Sequence, residues 1–300
     1  MMRDRGAVLI NALVVVLAIS AVAVAMLTRS EAARVRALDA RNADQLELYL
    51  DGIDVFVPQL LDEVVDQVIT HTGQIWARRG VTYPIDRGQV AVNIHDMQGR
   101  LNINWLSRDD DYTRDLFARV FGELDVPQSL VFAIADFISP SGPQSGGYLA
   151  RRPGIIPRGG PMSSIQELRA VDGMTDAYFD ALQPYVTALP IDTRLNLNTA
   201  DKIVKAAAIA PLPPELIAEI LERDKPIDGM SELRQRAIEI LETEDIEDLP
   251  FDRLTFASLW FQADLTAMLD GNQQRRVSTF RIEVGETPGV VRQWRRAVYD

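Results

Sequence analysis

The chain has no cysteine, which excludes disulfides, thiolate metal sites and thiol nucleophiles, and leaves the redox compartment open. Histidine is nearly as scarce, with only His71 and His95. There is no His-Glu-x-x-His pair, Gly-x-Ser-x-Gly elbow, Walker A loop or dinucleotide fingerprint. His95 and Asp96 are neighbours on an expected strand, where adjacent side chains point to opposite faces, so they do not form a base and its orienter. No enzyme is expected. Positive charge is also short: 31 Lys and Arg against 43 Asp and Glu leave a net charge of -12. Binding to phosphate backbones needs a basic footprint, so no nucleic acid is expected as a partner.

Apolar residues are plentiful at 47%, enough for a real core over 300 residues, in one large or two modest domains. They are concentrated first in Ala7 to Leu27, a run without charge, Gly or Pro in which only Asn11 and Ser20 are plainly polar. A bilayer core of about 30 Å needs about 20 such residues as a helix, so this stretch can span a membrane. A secretory signal would have a shorter apolar core and a cleavage site after it. Here the only processing signal precedes the run, at Gly6.

The helix is expected to continue. Residues 28–51 are rich in helix formers, and Leu46, Leu50, Ile53, Val57, Leu60, Val64 and Val68 step by three and four. Pro58 lies inside this stripe and is expected to kink or break it. The helical pattern fades at Gly73 to Gly80. Val90 to Ile94 reads as a strand. Two phrases, Gly99-Arg-Leu-Asn-Ile-Asn and Thr193-Arg-Leu-Asn-Leu-Asn-Thr-Ala200, share a core that suggests two related helical units opened by capping residues.

Helices are expected at 112–122, 127–138, 177–189, 200–209, 214–223 and 230–241, with another after a Ser163/Gln166 capping box. Ser139 to Pro161 carries eleven Gly and Pro in twenty-three residues and reads as a long loop. The acidic run 242–248 reads as a linker, and 258–269, 277–284 and 290–299 read as strands. The fold class is therefore α+β: a long N-terminal transmembrane and amphipathic α-helix packed on a small antiparallel sheet, with a large all-α domain inserted between strands.

A short basic leader ending in Gly6 directly before a long apolar helix resembles the type IV pilin and type II secretion pseudopilin leader. A plain signal-anchor with an incidental glycine is the other reading of that stretch. The order of further fragments is similar to the type II secretion system minor pseudopilin K family (general secretion pathway protein K, GspK). These are Gly99-Arg-Leu-Asn-Ile-Asn, Ile165-Gln-Glu-Leu-Arg-Ala-Val-Asp-Gly-Met174, Tyr185 to Pro190, Leu195 to Ala200 and the final strand block.

The resemblance implies a pilin-like plan: leader 1–6, long helix 7–85 with 7–27 transmembrane, sheet region 86–106 and 251–300, and an inserted α-domain 107–250 with helix-hairpin-helix-like units. It implies a subunit at the tip of the pseudopilus that supports export of folded proteins across the outer membrane. Its partners would be minor pseudopilins I and J, and prepilin peptidase would cut between Gly6 and Ala7. Location would be the bacterial inner membrane, single pass, with the C-terminal domain in the periplasm. Arg29, Arg34, Arg36 and Arg41 after the span argue the opposite way by the positive-inside count.

Asn11 is the fifth residue after the expected cut, where most pilin-like subunits carry a Glu taken to pair with the amine of the subunit above. A tip subunit has nothing above it, and a lone carboxylate in lipid is costly; a tolerated polar residue is the alternative. The family is also known to bind calcium in the α-domain. Asp136 matches one expected ligand, but Ser139 stands where a second acid is expected and 144–148 carries no acid, whereas calcium takes six to eight oxygens. The second function class is a membrane-anchored helix-hairpin-helix nucleic-acid receptor. Its putative binding unit, 195–250, holds six basic and thirteen acidic residues, a net of -7 that opposes it.

Overall fold

The computed structural model describes residues 4–65, 69–144, 147–222, 225–241, 250–284 and 288–298, with the backbone alone at 4–11, 63, 65 and 241. The acidic run 242–248 lies outside the described residues. The chain begins as helix α1 (Asp4–Val65) of 62 residues, about 93 Å at 1.5 Å per residue. It runs on through Pro58, which cannot donate to the carbonyl four residues back. Leu46, Leu50, Val57, Leu61 and Val64 repeat at steps of four, seven, four and three, and are buried on one face.

The helix expected to reach residue 85 is described only to Val65; a short 3-10 turn follows at Ile75–Ala77, then strand β1 (Val81–Ile85). Gly80 at φ +69° redirects the chain into this strand. Pro84 cannot donate to a ladder, which suits the outer position of β1. β2 (Gly88–Asp96) pairs with it in antiparallel fashion.

The chain then leaves the sheet. The region expected as sheet up to residue 106 ends at 96, because Leu101, Ile103, Trp105 and Leu106 pack into the core of the α-domain. That domain contains β3 (Leu101–Asn102), α2 (Asp111–Glu123), α3 (Ser129–Phe137), α4 (Asp176–Leu182), β4 (Val186–Thr187), β5 (Leu195–Asn196), α5 (Lys202–Ile209), α6 (Pro214–Glu222), α7 (Met230–Leu241) and β6 (Leu254–Thr255). The helix expected over 177–189 stops at Leu182, where Pro184 follows and Val186 pairs with Leu101. After the long loop the chain forms a 3-10 turn, Ile165–Ala170, closed by a Ser164/Glu167 capping box, one residue later than the expected Ser163/Gln166.

The repeated phrase marks a structural repeat. β3 pairs with β4, and β5 pairs with β6, both in parallel. In each unit the first Asn accepts from the N–H two residues on: Asn102 from Asn104 at 3.2 Å, Asn196 from Asn198 at 2.9 Å. The second Asn clamps both backbone groups of one distant residue. Asn104 binds the N–H and C=O of Met162 at 2.7 and 2.9 Å. Asn198 does the same to Ile227 at 2.8 and 2.9 Å. The first helices of the two units, α2 and α5, meet, and the Tyr112 hydroxyl donates to the Ala208 carbonyl at 3.0 Å.

The chain returns as β7 (Trp260–Leu269), β8 (Asn272–Glu283) and β9 (Gly289–Val298), giving a five-stranded antiparallel sheet in the order β1-β2-β7-β8-β9. β7 and β8 join through Asp270-Gly271, both at positive φ, the two-residue turn whose twist suits a hairpin. One sheet face, with Val92, Ile94, Phe261, Leu265 and Phe280, meets the buried face of α1.

Candidate functional site

Helix α1 leaves much of its surface uncovered. From Ala12 to Leu27 every described side chain is exposed, including Leu13, Leu17, Ile19 and Leu27. The described helix is long and apolar enough to cross a membrane, with mean hydropathy of 2.3 in its best window. Thr28 marks the end of the apolar run, its hydroxyl donating back to the carbonyls of Val24 and Ala25.

Apolar exposure does not end with the span. Leu48, Gly52, Val55 and Gln59 step by four, three and four along the face opposite the sheet, and all are exposed. Leu48 is 63% and Val55 70% accessible, with Phe56 and Leu38 beside this line. At about 1.5–3 kcal/mol for each large apolar side chain taken out of water, the line is a ready contact for another helix.

The opposite face is locked to the sheet by charge as well as by its apolar residues. Arg276 on β8 is 4% exposed and pairs with Glu47, with Asp51 at 2.7 Å and with Asp54 at 3.6 Å. Arg292 and Arg295 on β9 reach Asp54 and Asp51, each at 2.6 Å. These pairs hold Leu48 and Val55 outward by fixing the rotation of α1.

A second polar cluster fixes the α-domain on the sheet. Asp96, at the end of β2, accepts from the Gln98 N–H at 2.7 Å, and from Ser258, Thr199 and Asn196 at 2.6, 2.5 and 3.3 Å. Burial pushes its pKa up and outweighs these four donors. Gly99 lies against the Thr199 carbonyl so closely that a Cβ there would sit 2.8 Å from it.

Each of the two histidines has a local partner. His95 pairs with Asp264 at 3.2 Å, not with Asp96, and the His71 ring accepts from the Gly73 N–H. Burial works to raise Asp264, but hydrogen bonds from His95 and Gln262 hold it below the usual carboxylate range.

Gly6, Ala7 and Asn11 lie on the backbone of α1, and their side chains fall outside the described residues. Asp136, at the end of α3, accepts from the Gln144 N–H at 2.8 Å and so ties down the start of the long loop. Among the described residues no group of three or more His, Cys, Asp or Glu is placed to hold a metal. On the helix-hairpin-helix-like unit, Arg236 is spent on Glu219 and Glu239.

Sequence reasoning missed the Asp96 cluster and the Arg276 lock. Only the doubled Arg-Leu-Asn-x-Asn phrase carried a signal for the first of these, through Asn196.

Residues 99–191 match the family model for protein K of the type II secretion system. Over 236 residues the chain is 29% identical to the type II secretion system protein K of Klebsiella pneumoniae, covering 71% of this chain and 72% of that protein. The protein K of Pectobacterium carotovorum is 27% identical, covering 66% and 67%. A chain in the crystal structure of the GspK-GspI-GspJ complex from enterotoxigenic Escherichia coli shares the fold, with a TM-score of 0.72 at 19% identity, covering 88% of this chain and 100% of that one.

Proposed function

We propose that this chain, a member of the type II secretion system protein K family, is a minor pseudopilin that caps the tip of the pseudopilus and supports export of folded proteins from the periplasm across the outer membrane. The observation that carries this reading is α1 itself, apolar and exposed from Ala12 to Leu27 in its first half, and exposing Leu48 and Val55 on its outward line where the second half rests on the sheet. The first half suits a single pass through the bacterial inner membrane, with the head in the periplasm. The second suits side-by-side packing with the helices of minor pseudopilins I and J. The role is assembly, not catalysis.

Processing by prepilin peptidase between Gly6 and Ala7 would free the amine that starts the mature helix. Asn11 would then suit a subunit with no neighbour above it to receive a carboxylate. The nucleic-acid reading has less support, since the unit it needs is acidic overall and its Arg236 is already paired. Mass spectrometry of the membrane-bound chain is expected to find Ala7 as its first residue, and Asn11→Glu to insert normally while impairing tip assembly. A secretion-competent cell whose chain keeps Met1 to Gly6, or an Asn11→Glu variant that assembles and secretes like wild type, would contradict the reading.

A further inference from the structure

We propose that the arginines following the apolar run of α1 form a belt that gathers anionic phospholipid headgroups around the span, with Arg29 and Arg36 as the principal contacts. The run ends at Leu27, and the arginines begin two residues later, at positions 29, 34 and 36. At 1.5 Å per residue their α-carbons stand about 3, 10 and 14 Å beyond Leu27 along the helix. The headgroup layer is about 5–8 Å deep on each side of the hydrocarbon core. Arg29 therefore starts inside that layer, and Arg36 lies within about one Debye length, about 8 Å, of its outer edge.

Side chains on a helix lean toward its N-terminus, which here is toward the bilayer. Two contacts show the lean. The Thr28 hydroxyl donates back to Val24 and Ala25, and Arg34 reaches back to Glu31 at 2.9 Å. A guanidinium so directed meets phosphate oxygens, which its fork binds at two points.

The charge balance of this stretch favours an anionic surface. Its one acid, Glu31, is paired with Arg34 and lies on the side of α1 away from Arg29 and Arg36, which sit seven residues apart and share a face. Both of these arginines are exposed, and among the described residues neither has an ion pair. Over residues 28–36, three arginines against one glutamate leave +2, in a chain of net charge -12. Residues 42–62 then hold Asp44, Glu47, Asp51, Asp54 and Asp62, with no Lys or Arg. Beyond the span, excess positive charge is therefore confined to the end of α1 next to the bilayer. Arg41, about 21 Å past Leu27, stands too far out to feel the headgroups. Each basic residue close to an anionic surface strengthens attachment by about fivefold. Such a belt works at either face of the bilayer and requires no particular orientation.

The belt rests on the reading of α1 as a membrane anchor, not on the pseudopilin role. The test uses the full-length chain reconstituted into phosphatidylcholine vesicles. These carry a trace of spin-labelled lipid with either a phosphatidylglycerol or a phosphatidylcholine headgroup. Electron spin resonance reads the fraction of each label slowed by contact with the span. Phosphatidylglycerol is expected to be preferred by about threefold or more at about 0.1 M salt, and the preference to vanish at about 1 M. It is also expected to vanish in the double variant Arg29→Gln, Arg36→Gln, and to stay at the wild-type value in Arg41→Gln. Because these side chains are exposed, the double variant should unfold at the wild-type temperature. A chain that does not float with the vesicles would overturn the anchor reading and the belt with it. A chain that floats but associates equally with both lipids would overturn the belt alone, leaving an acidic helix of another subunit as the partner of these arginines. A preference that survives in the double variant, or that Arg41→Gln abolishes, would also overturn it.

Discussion

Asp96 couples the fold to pH. Its proton is held more tightly in the folded chain than in the unfolded one. Its contribution to stability is therefore complete below the ordinary value of 3.8 and is lost as pH rises through the higher folded value. Asp110 and Asp264 are held low, so their contribution is present above 3.8 and disappears as pH falls below it. The two windows do not overlap. The unfolding temperature of wild type minus that of Asp96→Asn is predicted to rise as pH is lowered from about 7 to about 4, then level off; a flat difference over that range would contradict the assignment. The asparagine clamps give a second test. Asn104→Ala strands the Met162 N–H and C=O and one bond to Leu189, and should cost about 2–4 kcal/mol by chemical denaturation. Asn198 is less buried and holds Ile227 alone, so Asn198→Ala should cost less. The phrase that holds these residues was visible as a repeat, and Asn102 caps the 3-10 turn that follows it as expected, whereas in the second unit Asp201 and not Asn196 caps α5. The second Asn's role was hidden, because Met162 and Ile227 lie 58 and 29 residues further along the chain.

Among the elements, α1 and the three long C-terminal strands were legible because their periodicity extends over many residues. Strand β1 was not: five residues with Pro84 at an outer position, mostly exposed, leave no alternation to read. The short pairs β3–β4 and β5–β6 were equally hidden, since two-residue strands are made by distant partners and not by local preference. The rotation of α1 on the sheet depends on Arg276, whose three carboxylate partners sit more than 200 residues earlier. Arg276→Met should destabilise the chain by about 3 kcal/mol, because Asp54 stays buried with Arg292 as its nearest partner. Denaturant unfolding monitored through Trp76, which packs edge-to-face on Phe261 at 5.1 Å beneath α1, would register it. An unchanged midpoint would mean that the apolar residues of α1 set its seating without the charges.

At the scale of the molecule, an apolar rod carries a sheet on one side near its end, and the sheet carries a two-unit α-domain inserted between β2 and β7. The inserted plan was legible from the sequence; the cleft it creates was not, because Arg100, Thr187 and Arg296 come together only when the α-domain folds back on the sheet. The central claim is that the outward line of α1 contacts other subunits of a pseudopilus. The absence of cysteine means that Val55→Cys introduces a single thiol, which can carry a photoactivatable crosslinker in cells producing the cognate minor pseudopilins I and J. The account predicts an adduct with one of them from position 55, and none from Phe132→Cys, which is equally open to solvent on α3. A folded, membrane-inserted chain that gives no adduct with either partner from position 55 would contradict it.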